Sequence, residues 1–155
     1  MANLAEHDAL GVLAGCTFAL LLAAKGSQQG DALDVLFEAM GGAVGGKLGS
    51  RLPDVLEPPT SSWHRSTAHS LVATGTVAAF VPPKTNALAE ALRVHSRRSR
   101  QLADEQPTAA GRHQLARFLS RFAAGALNGL PAGYVSHTVL DSATPRSIPL
   151  ITKGL

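Results

Sequence analysis

The segment HTVLD near the end of the chain carries two metal-ligand side chains, His137 and Asp141, four residues apart. On an α-helix, positions i and i+4 lie about 40° apart around the axis, so both side chains point the same way. The pair can therefore present an imidazole nitrogen and a carboxylate oxygen to one ion. A hydrogen-bonded pair without metal has the same spacing, so this segment alone leaves both readings open.

A second segment, WHRSTAHS, contains His64 and His69. On one helix, side chains five residues apart would point about 140° apart, so these two converge only if a helix begins between them. Ser66 or Thr67 is a suitable N-cap, which predicts a loop position for His64 and a first-turn position for His69. A neutral, metal-bound imidazole suits that position better than a cationic one. Two surface histidines beside a capping serine are the alternative.

Two carboxylates and a further histidine could complete a coordination sphere. Asp54 and Glu57 lie in the proline-rich segment LPDVLEPP, and either could act as a ligand or a general base. His7 precedes Gly11 and Gly15, whose missing side chains would let another helix come close to its face. A turn at Asp54 and an exposed His7 are the alternatives.

The elements that position these groups are expected to be helices. Apolar residues make up 45% of the chain but aromatic residues only 5%, which favours closely packed helices over a sheet sandwich. We predict an all-α fold, a single compact bundle of about five to six helices over residues 1–155, with the metal site between helices. The expected helices cover residues 4–24, from 31 onward, 66–80, 86–103 and 110–142, with breaks at the proline-rich segment 52–62, at Pro82-Pro83 and at Pro131.

Glycines recur every four residues in two places, at Gly41, Gly45 and Gly49 and again at Gly125, Gly129 and Gly133. Each ladder lies close to one helix face and would allow a neighbouring backbone to approach. For the first ladder, a flexible loop is the alternative.

Charge and cysteine content limit the possible environments. The net charge is +3, yet residues 91–121 alone carry seven arginines against two acids. The single cysteine, Cys16, excludes an internal disulfide.

We expect no signal peptide, and the uncharged run 9–24 falls just short of the roughly 20 residues that usually span a membrane. An inner-membrane-associated or a cytoplasmic protein is expected, not a secreted one.

The order of these motifs resembles the YdjM family of inner-membrane-associated, metal-dependent hydrolases. The resemblance rests on the early histidine, the LPD segment, HRSTAHS, and the block GYVSHTVLDSATPRSIPLI. That family is similar in turn to the all-helical, zinc-dependent phospholipases C. The resemblance implies a divalent metal, zinc or manganese, and assigns supporting or substrate-contacting roles to Arg65, Ser70 and Thr144. It assigns ligand roles to His7, Asp54, His64, His69, His137 and Asp141.

Three functions follow as hypotheses. The first is a metal-dependent hydrolase of a phosphoester, a lipid among the candidates, with Asp54 or Glu57 as general base and Arg65 holding the phosphate. The second is a non-catalytic membrane-associated or interaction protein with a structural metal. The third, nucleic-acid binding through Arg93, Arg97 and Arg100, is disfavoured because no aromatic residues are interleaved with them.

Overall fold

The computed structural model describes residues 3–25, 30–58 and 67–143 and forms four long helices. These are α1 (Leu4–Lys25), α2 (Ala32–Leu56), α3 (Leu71–Glu105) and α4 (Ala110–Ser142), with a short 3-10 turn at Pro107–Ala109 between the last two. The described residues contain no strand. The all-α prediction is confirmed, whereas the predicted five to six helices are not confirmed, because the described residues form four long helices.

The helix number differs because the prolines do not interrupt the helices. Helix α2 runs through Pro53, α3 through Pro82 and Pro83, and α4 through Pro131. An internal proline removes one hydrogen bond and costs about 3 kcal/mol, but packing on both sides of it can outweigh that cost. Pro53 and Pro131 are both buried in the bundle. Asp54 therefore lies in the last turn of a helix, where the sequence predicted a loop.

Side-chain caps begin three of the helices. At α1, the Asn3 side chain accepts from the Glu6 amide while the Glu6 carboxylate accepts from the Asn3 amide, and together they form a capping box. Asp31 caps α2. Ser70 caps α3 by accepting from the Ala73 amide, so the prediction of Ser66 or Thr67 as the cap is wrong. His69 consequently precedes the helix instead of lying in its first turn.

Helix α4 is the centre of the bundle. It packs against the other three long helices, and α2 also packs against α1. The backbones of α1 and α3 make no such contact along the described helices. The beginning of α1 and the ends of α2 and α4 lie at one end of the bundle, because His7 contacts Asp141 there and His137 contacts Asp54.

The glycine ladders allow α2 to lie between α1 and α4. A methyl group added at Gly45 would lie 2.1 Å from the carbonyl oxygen of Ala126 in α4, and one added at Gly46 would lie 2.0 Å from that of Gly11 in α1. Only hydrogen fits at these positions, which confirms the helix-packing reading of the ladder over the loop reading.

Large apolar side chains lie on the outside of the bundle. The buried apolar residues are seven alanines and Tyr134, and no leucine, valine, phenylalanine or methionine is buried among the described residues. The largest fully buried side chains are instead polar or charged, with Arg93, Arg121, His69 and His137 first among them. In soluble domains, large apolar side chains are usually buried and charged side chains are mostly exposed.

Candidate metal centre

Four ligand-type atoms converge at the end of the bundle where α1 begins. Nε2 of His69 lies 3.2 Å from Nε2 of His137, 3.3 Å from Oδ1 of Asp54 and 3.7 Å from Oδ2 of Asp141. Nε2 of His137 lies 3.7 Å from the same Asp54 oxygen and 3.5 Å from the same Asp141 oxygen. The i, i+4 convergence of His137 and Asp141 expected from HTVLD is therefore present.

Three elements bring these atoms together. Asp54 comes from the last turn of α2, and His137 and Asp141 come from the end of α4. His69 is in the turn that precedes α3, and the capping of α3 by Ser70 fixes the direction in which that turn enters the helix. Ser70 thus supports the site through the backbone.

His7 extends the cluster on the side of α1. Its Nε2 lies 3.5 Å from Oδ1 of Asp141, the carboxylate oxygen that faces away from His69. Its ring stacks on that of His137, with centroids 3.9 Å apart. Among the described residues, two groups of three could hold a metal ion, His7 with His137 and Asp141, and Asp54 with His69 and His137. His137 is common to both groups.

Glu57 lies on the far side of His69 from these atoms. Its Oε2 is 3.3 Å from Nδ1 of His69, while its Oε1 accepts hydrogen bonds from the amides of Thr67 and Ala68 at 2.6 and 2.9 Å. The hydroxyl of Tyr134 donates to the carbonyl oxygen of Ala68. Glu57 therefore holds the turn that carries His69 and orients its ring.

The donor set could hold a cation. One imidazole N–H donates to one acceptor at a time, whereas Nε2 of His69 faces two carboxylate oxygens and a second imidazole nitrogen. His7, His69, His137 and Asp141 are all buried, and buried carboxylates are normally paired with a cation or a hydrogen-bond network. A positive ion between the four atoms would satisfy all of them at once.

Three residues assigned to the site from the sequence lie outside the described residues. They are His64, Arg65 and Thr144. Their predicted roles as a ligand and as substrate-contacting groups stay predictions.

A second buried polar cluster, which the sequence reasoning missed, lies toward the other end of the bundle. Glu38 of α2 receives hydrogen bonds from Arg93 of α3 and Arg121 of α4, and Arg117 of α4 donates to Asp34 of α2 at 2.7 Å. All five side chains are buried. The sequence does contain a pattern that indicates this cluster, because Asp34 and Glu38, like Arg117 and Arg121, are spaced i, i+4 on one helix face.

The cluster extends outward to Asp31. Arg117 and Arg100 approach its carboxylate at 2.6 and 2.9 Å. Partial burial alone would raise the pKa of Asp31, but the hydrogen bonds from the Asp34 amide and the Arg117 guanidinium outweigh it and lower this pKa. Three arginines of α3 were considered as a nucleic-acid-binding face. Arg93 is buried and Arg100 forms an ion pair with Asp31, so among these three only Arg97 is exposed and outside this cluster.

Comparisons with known proteins add no relative. No family model, no curated protein and no solved structure matches the chain.

Proposed function

We propose that the chain is a metal-dependent hydrolase that cleaves phosphoesters at the His69–His137–Asp54–Asp141 centre. The observation that carries the proposal is the convergence of two imidazole nitrogens and two carboxylate oxygens from three separate parts of the chain. The same residues match motif positions of the YdjM-like pattern described above, so two independent lines of reasoning select them.

The interatomic distances fit a small divalent cation. Ligands at the 2.0–2.2 Å typical of zinc would stand roughly 3.4 Å apart in a tetrahedral arrangement. Five of the six distances between the four converging atoms, all except that between Asp54 and Asp141, range from 3.2 to 3.7 Å. Mixed nitrogen and oxygen ligands suit zinc and also manganese. His7 would contact Oδ1 of Asp141. It would either orient that carboxylate or be a ligand of a second ion.

With His69, His137 and Asp141 as its ligands and the fourth position left to water, such an ion would supply a water of pKa near 7 and would polarise a phosphoryl oxygen. The protein residues hold and orient the reacting groups. The Asp54 side chain is 31% exposed, whereas those of His69, His137 and Asp141 are at most 2% exposed, so substrate and water reach the centre on the Asp54 side. In the hydrolysis, the water oxygen forms a new bond to phosphorus, the ester P–O bond breaks, and the leaving oxygen takes up a proton. Asp54 is positioned to accept the proton lost by the water, and Arg65 is proposed to contact the phosphate.

The test combines metal analysis with turnover. We expect the purified full chain to retain zinc or manganese in stoichiometric amount and to hydrolyse bis(4-nitrophenyl) phosphate. His137→Ala should lose both properties, and His95→Ala, which alters an exposed histidine on α3, should lose neither. If His137→Ala does not fold, removing the metal from the unaltered chain with a chelator and restoring it gives the same readout. A chain that binds no metal would contradict the proposal.

The second candidate is a non-catalytic, membrane-associated protein in which the metal joins the helices. The exterior of the bundle supports it, because α2 exposes Leu36, Met40, Val44, Leu48 and Leu52 in one continuous stripe. Among the described helices, α1 has the length and composition to cross a membrane, although a buried core helix or a signal sequence could have the same properties. Glycine, alanine and paired polar groups inside, with aliphatic groups outside, are typical of helices packed in lipid.

Two measurements separate the candidates. Sedimentation of the chain with membranes after an alkaline wash would support membrane association and is compatible with either candidate. A chain that retains stoichiometric metal but hydrolyses neither phosphomonoesters nor phosphodiesters would contradict the hydrolase and favour the structural metal.

A further inference from the structure

His69 differs from the other three members of the proposed centre because it does not lie in a helix. Asp54 is in α2, and His137 and Asp141 are in α4, so the helix backbone fixes the direction of each of these side chains. His69 belongs to the turn at residues 67–70. Its position depends on the groups that contact this turn, and a binding geometry must be held to within about 0.5 Å.

Tyr134 of α4 contacts the turn at the residue before His69. Its hydroxyl donates to the carbonyl oxygen of Ala68, and both residues are buried. Burial, together with the negative charge of Glu57, raises the pKa of Tyr134, so the hydroxyl keeps its proton at neutral pH and remains a donor. Because this proton is directed at a backbone oxygen, the contact favours a positioning role for Tyr134 over a catalytic one.

The backbone of Ala68 is held by two different helices. Glu57 of α2 accepts from the amides of Thr67 and Ala68, while Tyr134 of α4 donates to the carbonyl oxygen of Ala68. The amide of Ser70 closes the turn by donating to the carbonyl oxygen of Thr67. Contacts at both the amide and the carbonyl of one residue restrict the rotation of its backbone, which a single contact would leave free.

Tyr134 and His137 are three residues apart on α4 and so lie next to each other on the helix surface. The first holds the backbone beside His69, and Nε2 of the second lies 3.2 Å from Nε2 of His69. Because one helix carries both groups, a small movement of α4 shifts the anchor of His69 and its partner together. The separation of the two imidazole nitrogens is therefore maintained.

We propose that Tyr134 is a positioning residue of the centre, which fixes the place of His69 through the carbonyl oxygen of Ala68 and so increases the affinity for the metal. The inference rests on the proposed function and adds to it a residue that acts on the same site without touching the ion.

Tyr134→Phe tests the proposal because it keeps the ring and removes only the donor. We expect this variant to bind zinc at least about ten-fold more weakly than the unaltered full chain, with the same stoichiometry. Competition with a chromophoric chelator measures the affinity. Ser120→Ala is the matched control, since it removes another buried hydroxyl of α4 whose acceptor, the carbonyl oxygen of Ala116, lies in α4 itself. We expect Ser120→Ala to leave the affinity unchanged, and an equal loss in both variants would overturn the proposal.

A double-variant cycle shows whether Tyr134 acts through His69. In a His69→Ala background, Tyr134→Phe should change the affinity for zinc by less than about two-fold, because the group that the hydroxyl positions is gone. A general loss of stability would instead lower the affinity by the same factor in both backgrounds, and that result would overturn the proposal.

Amide hydrogen exchange tests the same contact in the metal-free chain. We expect the amides of Thr67 and Ala68 to exchange at least about ten-fold faster in Tyr134→Phe than in the unaltered chain, and at an unchanged rate in Ser120→Ala. If Tyr134→Phe does not fold, 3-fluorotyrosine can replace Tyr134 selectively, because it is the only tyrosine of the chain. Its fluorine resonance should then shift when zinc is added, and a resonance that does not respond would overturn the proposal.

The outcomes are distinguishable from those that test the hydrolase. Unchanged zinc affinity and unchanged amide exchange in Tyr134→Phe would overturn the positioning role even if the chain binds metal and hydrolyses an ester. A chain that shows the expected dependence on Tyr134 but hydrolyses no ester would contradict the hydrolase and support the positioning role.

Discussion

Nε2 of His69 and Nε2 of His137 lie 3.2 Å apart although 68 residues separate them in the chain. Two imidazole nitrogens at this distance share one proton or one cation. The carboxylates of Asp54 and Asp141 lie within 3.7 Å of both nitrogens, so the four groups could hold a cation together. This contact joins the turn before α3 to the end of α4, and the properties of the centre depend on it.

Glu57 is predicted to position His69. Its carboxylate favours the tautomer of His69 with the proton on Nδ1 and directs the Nε2 lone pair toward the centre. Glu57→Gln should therefore weaken metal binding by about 10- to 100-fold. Competition with a chromophoric chelator measures the affinity, and Glu105→Gln at the exposed end of α3 is the control. Unchanged affinity together with lost turnover would instead support the general-base role expected from the sequence.

Glu38 is predicted to be the most sensitive member of the buried charge cluster. It accepts from Arg93 and Arg121 and is fully buried. Glu38→Ala leaves two arginines in the interior without their shared partner and should lower the free energy of unfolding by about 3–5 kcal/mol. Urea unfolding measures the loss. Glu105→Ala should change stability by less than about 0.5 kcal/mol, and a similar value for both variants would refute the prediction.

The glycines of α2 and α3 should respond oppositely to the same substitution. Gly45→Ala places a methyl group 2.1 Å from a backbone oxygen of α4 and should cost at least about 1–3 kcal/mol. Gly75→Ala meets nothing within 4 Å and should stabilise the helix by about 0.5–1 kcal/mol. Thermal unfolding of the two variants decides the matter. Destabilisation by both would mean that α3 also has a close neighbour at Gly75.

Asp31 predicts a pH dependence of stability. Its pKa is lowered in the folded state, so its charge stabilises the fold above the unfolded pKa, and this contribution is lost as the pH falls through the folded value. Asp31→Asn keeps a suitable N-cap but removes the charge that faces Arg117 and Arg100. Because the side chain is 35% exposed, we expect a deficit of about 1 kcal/mol or less at pH 7.

The deficit of Asp31→Asn should shrink as the pH falls below the ordinary carboxyl value of 3.8. Urea unfolding at pH 7 and at pH 3 compares the variant with the unaltered chain. A deficit that grows on acidification would mean that the Asp31 charge opposes folding.

The sequence predicted the helix ends better than the helix number. The capping box at Asn3 and Glu6 and the bounds of α4 depend on local hydrogen bonds and local pattern, which a sequence contains. Helix α2 does end inside the expected break 52–62, but only at Leu56, after passing through Pro53. The breaks expected at Pro82-Pro83 and Pro131 are wrong because local propensity yields to packing that only the assembled bundle supplies.

The candidate site was predictable in its members and not in its arrangement. Spacing selected His137 with Asp141, and the motif order selected His69, Asp54 and His7. Nothing local indicates that Glu57 stands behind His69, since that contact depends on how the turn before α3 folds back onto the end of α2.

The centre takes ligands from the first turn of α1 and from the final turns of α4. During synthesis the pocket for the ion is therefore incomplete until the last helix has left the ribosome and docked onto the first. A half-made chain offers only scattered imidazoles and carboxylates to the ion. If the proposed metal binds, its loading would report that the first and last helices have come together.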